Sequence, residues 1–230
     1  MKKLLTLFCI IFLLISCKEE IEDNSGTYIS NNIEIGDIKL YSKYGEIQDS
    51  KTINNFIKAH DELHYFIQNS DSAIEIKNPY KIVILPTNQA KLINWGDTTN
   101  YSIIRKNQVL YLETKDTMQY GNQVTTPFYQ KMLMYSPIYS EIIDVPSPPY
   151  EFNSITRFKP CIYIFLSENV ITYPLLTYLY FQSYQDGASY SSLTYRNINN
   201  IFNKESTKLL NETDTIAIQQ NYLKLSKEIR

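Results

Sequence analysis

The stretch AIEIKNPYKIVILPTNQAKLINWGDTTNYSIIRKNQVLYLET, residues 73–114, alternates apolar and polar residues in short runs broken by turn formers. Runs near 73–77, 80–85, 90–95, 99–105 and 108–114 recur about every ten residues, separated by Asn78-Pro79, Pro86-Thr87-Asn88, Trp95-Gly96-Asp97 and Lys106-Asn107. Period-two alternation buries one face of a strand and wets the other, and a turn after each run brings the chain back alongside itself. An antiparallel meander is the expectation.

On the N-terminal side, residues 33–41 (IEIGDIKLY) read as a strand ended by Tyr44-Gly45. Beyond it Ile53, Phe56, Ile57, Leu63 and Ile67 fall at helical spacing, with Asp49 or Ser50 placed to cap, which predicts a helix over 51–68. On the C-terminal side a strand or hairpin is expected at 128–143, then a loop at Pro146-Ser147-Pro148-Pro149. Strands follow at 160–166, 170–182 and 188–195, the last two separated by Asp186-Gly187. A second helix is expected near 197–210, where Ile198, Ile201, Phe202 and Leu209 share a face, and a closing strand at 215–225. Composition does not shift across the proline loop and neither flank could complete a core alone. Residues 33–230 are therefore expected to form one β-rich α+β domain, a meander with one or two packed helices. In shape this resembles a lipocalin-like barrel, although no lipocalin signature motif is present.

With 43% hydrophobic and 20% charged residues, the 230-residue chain has the composition of a folded globular protein. Its 22 Lys and Arg against 24 Asp and Glu leave no basic excess to neutralise a phosphate backbone, so nucleic acid is not an expected partner.

Lys2 and Lys3 precede an apolar run from Leu4 to Ile15, broken only by Thr6. As a helix this run would cover about 18 Å, against roughly 30 Å of bilayer hydrocarbon, so it reads as an export leader and not as a span. It ends in Leu14-Ile15-Ser16-Cys17, which resembles the lipobox of bacterial lipoproteins. The resemblance implies a signal peptide at 1–16, cleavage before Cys17, and acylation of Cys17 as a membrane anchor. One acyl chain binds a bilayer marginally, whereas two or more hold a soluble domain there. Cys17-Lys18-Glu19-Glu20 further resembles the export signal that sends some Gram-negative lipoproteins to the outer face of the outer membrane, with Lys18, Glu19 and Glu20 as the signal. Residues 17–32 then read as the lipidated Cys and a flexible tether. Loss of the leader takes Lys2 and Lys3, leaving 20 basic and 24 acidic residues, a formal charge of −4.

Of the three cysteines, Cys9 would leave with the leader and Cys17 would be acylated, so Cys161, opening an apolar run, is expected as a buried inert thiol. Both histidines, His60 and His64, stand four apart on the expected helix, a spacing that permits a zinc ion. The residue after His60 is Asp61, however, where the His-Glu-x-x-His pattern needs Glu, and no further His exists as a third ligand. Their simplest role is as hydrogen-bonded imidazoles where helix meets sheet. Tyrosine is abundant, 20 in the chain and 11 of them from Tyr129 to Tyr195. Tyr178 and Tyr180 share one strand face and are candidates for stacking on a ligand, though tyrosine also suits half-buried strand positions. Phosphate-binding glycine loops, a Gly-x-Ser-x-Gly elbow, a Cys-x-x-Cys pair and calcium loops are all absent from the sequence, and no cofactor is expected.

The expectation is an outer-membrane lipoprotein, facing the exterior, that binds a glycan, a small apolar ligand or an envelope protein without catalysis. The alternatives are a metal-assisted hydrolase using His60 and His64, and a structural subunit of an envelope complex.

Overall fold

A computed structural model describes residues 24–60, 66–67, 72–106, 109–122, 140–144, 154–184, 187–194 and 200–229. Its strands are β1 Gly26–Glu34, β2 Ile38–Ser42, β3 Gly45–Ile47, β4 Ala73–Leu85, β5 Gln89–Asn94, β6 Asp97–Lys106, β7 Val109–Thr114, β8 Met118–Asn122, β9 Ser140–Asp144, β10 Ser154–Phe158, β11 Cys161–Ser167, β12 Val170–Tyr184, β13 Gly187–Thr194 and β14 Thr215–Lys227. One helix, α1, spans Ser50–Ala59, and a 3-10 helix spans Lys204–Leu209. The strands β12, β11, β7, β6, β5, β4, β1 and β14 are neighbours in that order, and pairing of β12 with β14 closes them into an eight-stranded antiparallel barrel. The expected β-rich, lipocalin-like shape is what the chain adopts. Strands β8, β10 and β9 form a separate small sheet.

The alternation read from 73–114 puts Tyr80, Ile82 and Ile84 of β4, Leu92 of β5, Tyr101 and Ile103 of β6, and Leu110 and Leu112 of β7 inside. Ile162 and Ile164, Ile171 and Tyr173, and Leu223 and Leu225 complete the ring. Each fully buried aliphatic or aromatic side chain contributes about 1.5–3 kcal/mol of hydrophobic stabilisation. These side chains form one contiguous buried cluster inside the barrel.

Strands β12 and β14 are longer than the barrel needs and carry their mutual ladder, Val170 opposite Ser226 through Phe181 opposite Thr215, beyond its rim. There β13 joins β12, and β2 followed by β3 joins β14. One face of this extension carries Leu40, Leu179 and Ala217, against which Ile53 and Phe56 of α1 pack. Its other face carries Tyr41, Leu176, Tyr178, Tyr180, Ile216 and Ile218, covered by Phe202, Leu209 and Leu210.

Where the sheet forks, buried amide side chains stand in for missing strand partners. Between β11 and β12, Asn200 accepts from the Tyr163 amide (2.8 Å) and donates to the carbonyls of Tyr163 (2.7 Å) and Pro174 (3.0 Å). Between β1 and β2, Asn221 accepts from the Gly36 amide (2.8 Å), while Gln219 donates to the carbonyls of Gly36 (3.1 Å) and Ile67 (2.9 Å) and accepts from the Ile67 amide (2.9 Å). Gly36 runs so close to β14 that a Cβ there would lie 2.1 Å from the Gln220 carbonyl oxygen.

Several expectations are corrected. The segment 17–32, read as a tether, is already strand from Gly26 onward, and the strand expected at 33–41 is divided at Gly36 into β1 and β2. Asn78-Pro79 is no turn: β4 runs through it as one strand, and the register against β1 shifts between Ser30 and Asn32, a bulge that accommodates a proline without an amide hydrogen. The helix expected over 51–68 ends at Ala59, because the His60 ring takes the Phe56 carbonyl (2.7 Å) that the His60 amide would otherwise bond, and that amide bonds Ile57 instead. In place of a helix over 197–210 there is a six-residue 3-10 helix capped by Asn203. The proline loop 146–149 and residues 128–139 of the expected hairpin lie outside the described residues.

Candidate functional site

The extension carries an open groove of about 370 Å³ between the segment leading into the 3-10 helix and the outward faces of β2 and β14. Phe202 and Tyr222, both half-buried, supply its aromatic surface over the Tyr41 ring, which is itself only 3% exposed, and Asp37, Lys39 and Lys204 supply its charges. Residues 39 and 41 point the same way because β2 has period two, and Ile218, Gln220 and Tyr222 do so on β14. Gln220 ties the covering segment down by donating to the Asn200 carbonyl (3.1 Å). A second compartment of about 230 Å³ continues past Tyr41 and Lys204 to Lys43, Tyr44 and Lys208. Tyr44 there is 78% exposed, a free aromatic face at the groove's end.

Glu46 organises the charges. It pairs with Lys39 (3.3 Å) and Lys204 (3.5 Å) and accepts a hydrogen bond from the Tyr41 hydroxyl (3.3 Å). Burial alone would raise the Glu46 carboxyl, but the two lysines outweigh it and hold the group below the usual carboxylate range. Burial, reinforced by the Glu46 charge and hydrogen bond, pushes the Tyr41 phenol up to about 12. The Tyr41 and Phe202 rings meet at 5.1 Å, and the Lys204 ammonium sits 6.0 Å from the Tyr41 ring centre. At neutral pH the groove is thus an aromatic strip beside a fixed, ion-paired rim.

None of these residues stood out as a site in the sequence. Tyr41, Phe202 and Tyr222 belong to segments far apart in the chain and converge only through the fork of the sheet. Among the residues that did stand out, Tyr178 and Tyr180 are each 1% exposed. The Tyr180 hydroxyl donates to Asp214 (2.7 Å), so the pair packs under the 3-10 helix and offers no stacking face, which corrects that assignment. His60 lies at the C-terminus of α1, where its ring meets Phe56 at 4.3 Å and Phe181 at 5.6 Å. Because a carbonyl only accepts, Nδ1 carries the proton it gives to Phe56 and is closed to a metal. His64 lies outside the described residues, as do Cys17, Lys18, Glu19 and Glu20. Among the described residues no three His, Cys, Asp or Glu side chains converge as metal ligands. Cys161 is fully buried, and burial followed by the nearby Glu113 charge pushes its thiol up to about 12, which makes it inert at neutral pH. Comparison with known proteins finds no family, no curated protein and no solved structure that matches this chain.

Proposed function

We propose that this chain is a lipid-anchored protein of the outer membrane, held through Cys17 and displayed outward, that binds a glycan in the groove between β2, β14 and the 3-10 helix without chemical turnover. The observation that carries the binding reading is an open groove outside the barrel in which the half-buried rings of Phe202 and Tyr222 lie beside Asp37, Lys39 and Lys204, whereas the barrel interior holds a contiguous cluster of buried side chains. Sugar rings stack their C–H faces on aromatics and present hydroxyls to charged and amide groups at the edge. A non-catalytic role is supported by the protonation states, since Glu46 stays charged between two lysines and Tyr41 keeps its proton, leaving neither poised as an acid or base near neutrality. The anchor rests on Leu14-Ile15-Ser16-Cys17 and its charged and apolar leader.

Two measurements test the two halves. Mass spectrometry of the processed protein is expected to find acyl chains on Cys17, and Cys17→Ser to move the chain from the membrane fraction to the soluble one. On a polysaccharide array, Phe202→Ala and Lys204→Glu are each expected to weaken binding about tenfold, the effect of removing one well-placed contact, while Trp95→Phe leaves it unchanged. Equal binding by all four proteins would remove the groove from the account.

A further inference from the structure

The register of the strands fixes two ends of the barrel. Gly26 of β1 pairs with Ile84, Lys106 with Val109, Ser167 with Val170, and Tyr28 with Lys227, so the chain enters the barrel at the end formed by the β4–β5, β6–β7 and β11–β12 turns. The Asn94–Asp97 turn, with Trp95 75% exposed, lies at the opposite end, toward which β12 and β14 extend. Cys17 precedes Gly26 by only nine residues, a reach of at most about 32 Å when fully extended. Eight strands spaced about 4.8 Å apart and tilted about 40° make a barrel roughly 15 Å across, so a tether of that length leaves the barrel at its entry end and is long enough to let that end come down on the bilayer.

A second observation singles out one side of that end. Of the five large exposed apolar or aromatic residues among those described, Ile104, Phe165 and Ile229 are at the entry end. Ile104 is opposite Tyr111, and Phe165 is opposite Val109, on the outer face of β6, β7 and β11. Tyr111 and Val109 are half-buried neighbours on β7, so the four side chains form one continuous patch on the wall, with the exposed Lys106 at its rim. Ile104 and Phe165 remain 41% and 39% exposed. A patch of aliphatic and aromatic groups beside a cation suits the lipid interface, where rings lie at headgroup depth and lysine reaches phosphate.

We propose that the entry end of the barrel and the Ile104–Val109–Tyr111–Phe165 wall rest on the bilayer to which Cys17 is anchored, so that the groove and Trp95 face away from it. This rests on the lipid-anchor reading given above. Because Trp95 is the only tryptophan, the arrangement can be read directly. The acylated protein is reconstituted into vesicles of phosphatidylethanolamine and phosphatidylglycerol whose acyl chains carry bromine, and its fluorescence is compared with that in unbrominated vesicles. The protein as it stands is expected to keep its emission, whereas the Trp95→Phe/Phe165→Trp variant loses about half or more, as a ring buried at the headgroup–acyl boundary should. Ile104→Trp in the same Trp95→Phe background is the second probe should the first variant fold poorly. If the patch probes stay bright in protein shown by mass to be acylated, the wall does not touch lipid and is free for a protein partner. Quenching of Trp95 itself would mean the opposite end is down. Absence of acyl chains would fell the anchor, and this proposal with it.

Discussion

At the scale of single residues, Asn200 is the position on which most depends for its size. It is 2% exposed and supplies strand-like bonds to β11 and β12 at once, where β12 cannot serve itself because Pro174 has no amide hydrogen. Removing the amide leaves a buried N–H and two buried carbonyls short of a partner, each costing about 1–3 kcal/mol less whatever the site recovers from water. We expect Asn200→Ala to lose about 3 kcal/mol in urea unfolding. Asn200→Asp should do no better, since it keeps the acceptor for Tyr163, loses both donors and buries a charge. Retention of wild-type stability by the Asp variant would mean that the carbonyls need no donor. Nothing in the sequence marked Asn200, because a lone amide in a connecting segment carries no periodicity, and its partners lie 37 and 26 positions away.

Among the elements, β12 joins two environments along one face. Tyr173 and Leu175 sit in the barrel, Leu179 sits under α1, and between them Thr177 pairs directly with Gln219 in a buried polar layer completed by Asn221. Gln219 and Asn221 hold backbone groups at the fork, but the Thr177 hydroxyl is buried with no hydrogen-bond partner. Thr177→Val keeps the shape and removes the cost of that hydroxyl, so it is expected to stabilise the protein by about 1 kcal/mol, read as a higher urea midpoint at unchanged slope. A drop in midpoint would show that the hydroxyl is doing work. The strands themselves were largely legible, because alternation survives in every barrel strand from β4 to β7. What alternation cannot show is where an edge changes partner: Gly36 divides 33–41, and Asn78-Pro79 bulges without turning, since both are decided by the strand alongside. Helices were overextended for a related reason. Ile53 and Phe56 do pack on the sheet, but His60 closes the helix through its own side chain, a competition that apolar spacing does not register.

Taken as a whole, the molecule stores many of its tyrosines inside, and this gives its stability a defined dependence on pH. Burial, followed by the neighbouring Tyr101 and Tyr80, holds the Tyr173 phenol well above its ordinary range; burial also raises Tyr80, and Tyr41 and Cys161 are each pushed up to about 12. An unfolded chain releases these protons near pH 8.5–10, while the folded one keeps them. Above that window the unfolded state binds fewer protons, so stability falls as pH rises. The contribution is complete below about pH 8 and is lost progressively toward pH 12. Urea midpoints are expected to decline through that range, and Tyr173→Phe to show a shallower decline; identical slopes would remove Tyr173 from the explanation.

The ring is closed by its last strand. β14 lies between β1 and β12 and bonds both, so any chain interrupted before Thr215 leaves two long ladders of unanswered amides and carbonyls, one on each side of a gap. Such a fragment would be adhesive toward its own kind and toward any extended peptide it met. A nascent molecule thus has every reason to stay escorted until its final stretch arrives, and a premature stop in that stretch should yield aggregates and proteolysis in place of a weakened but soluble product.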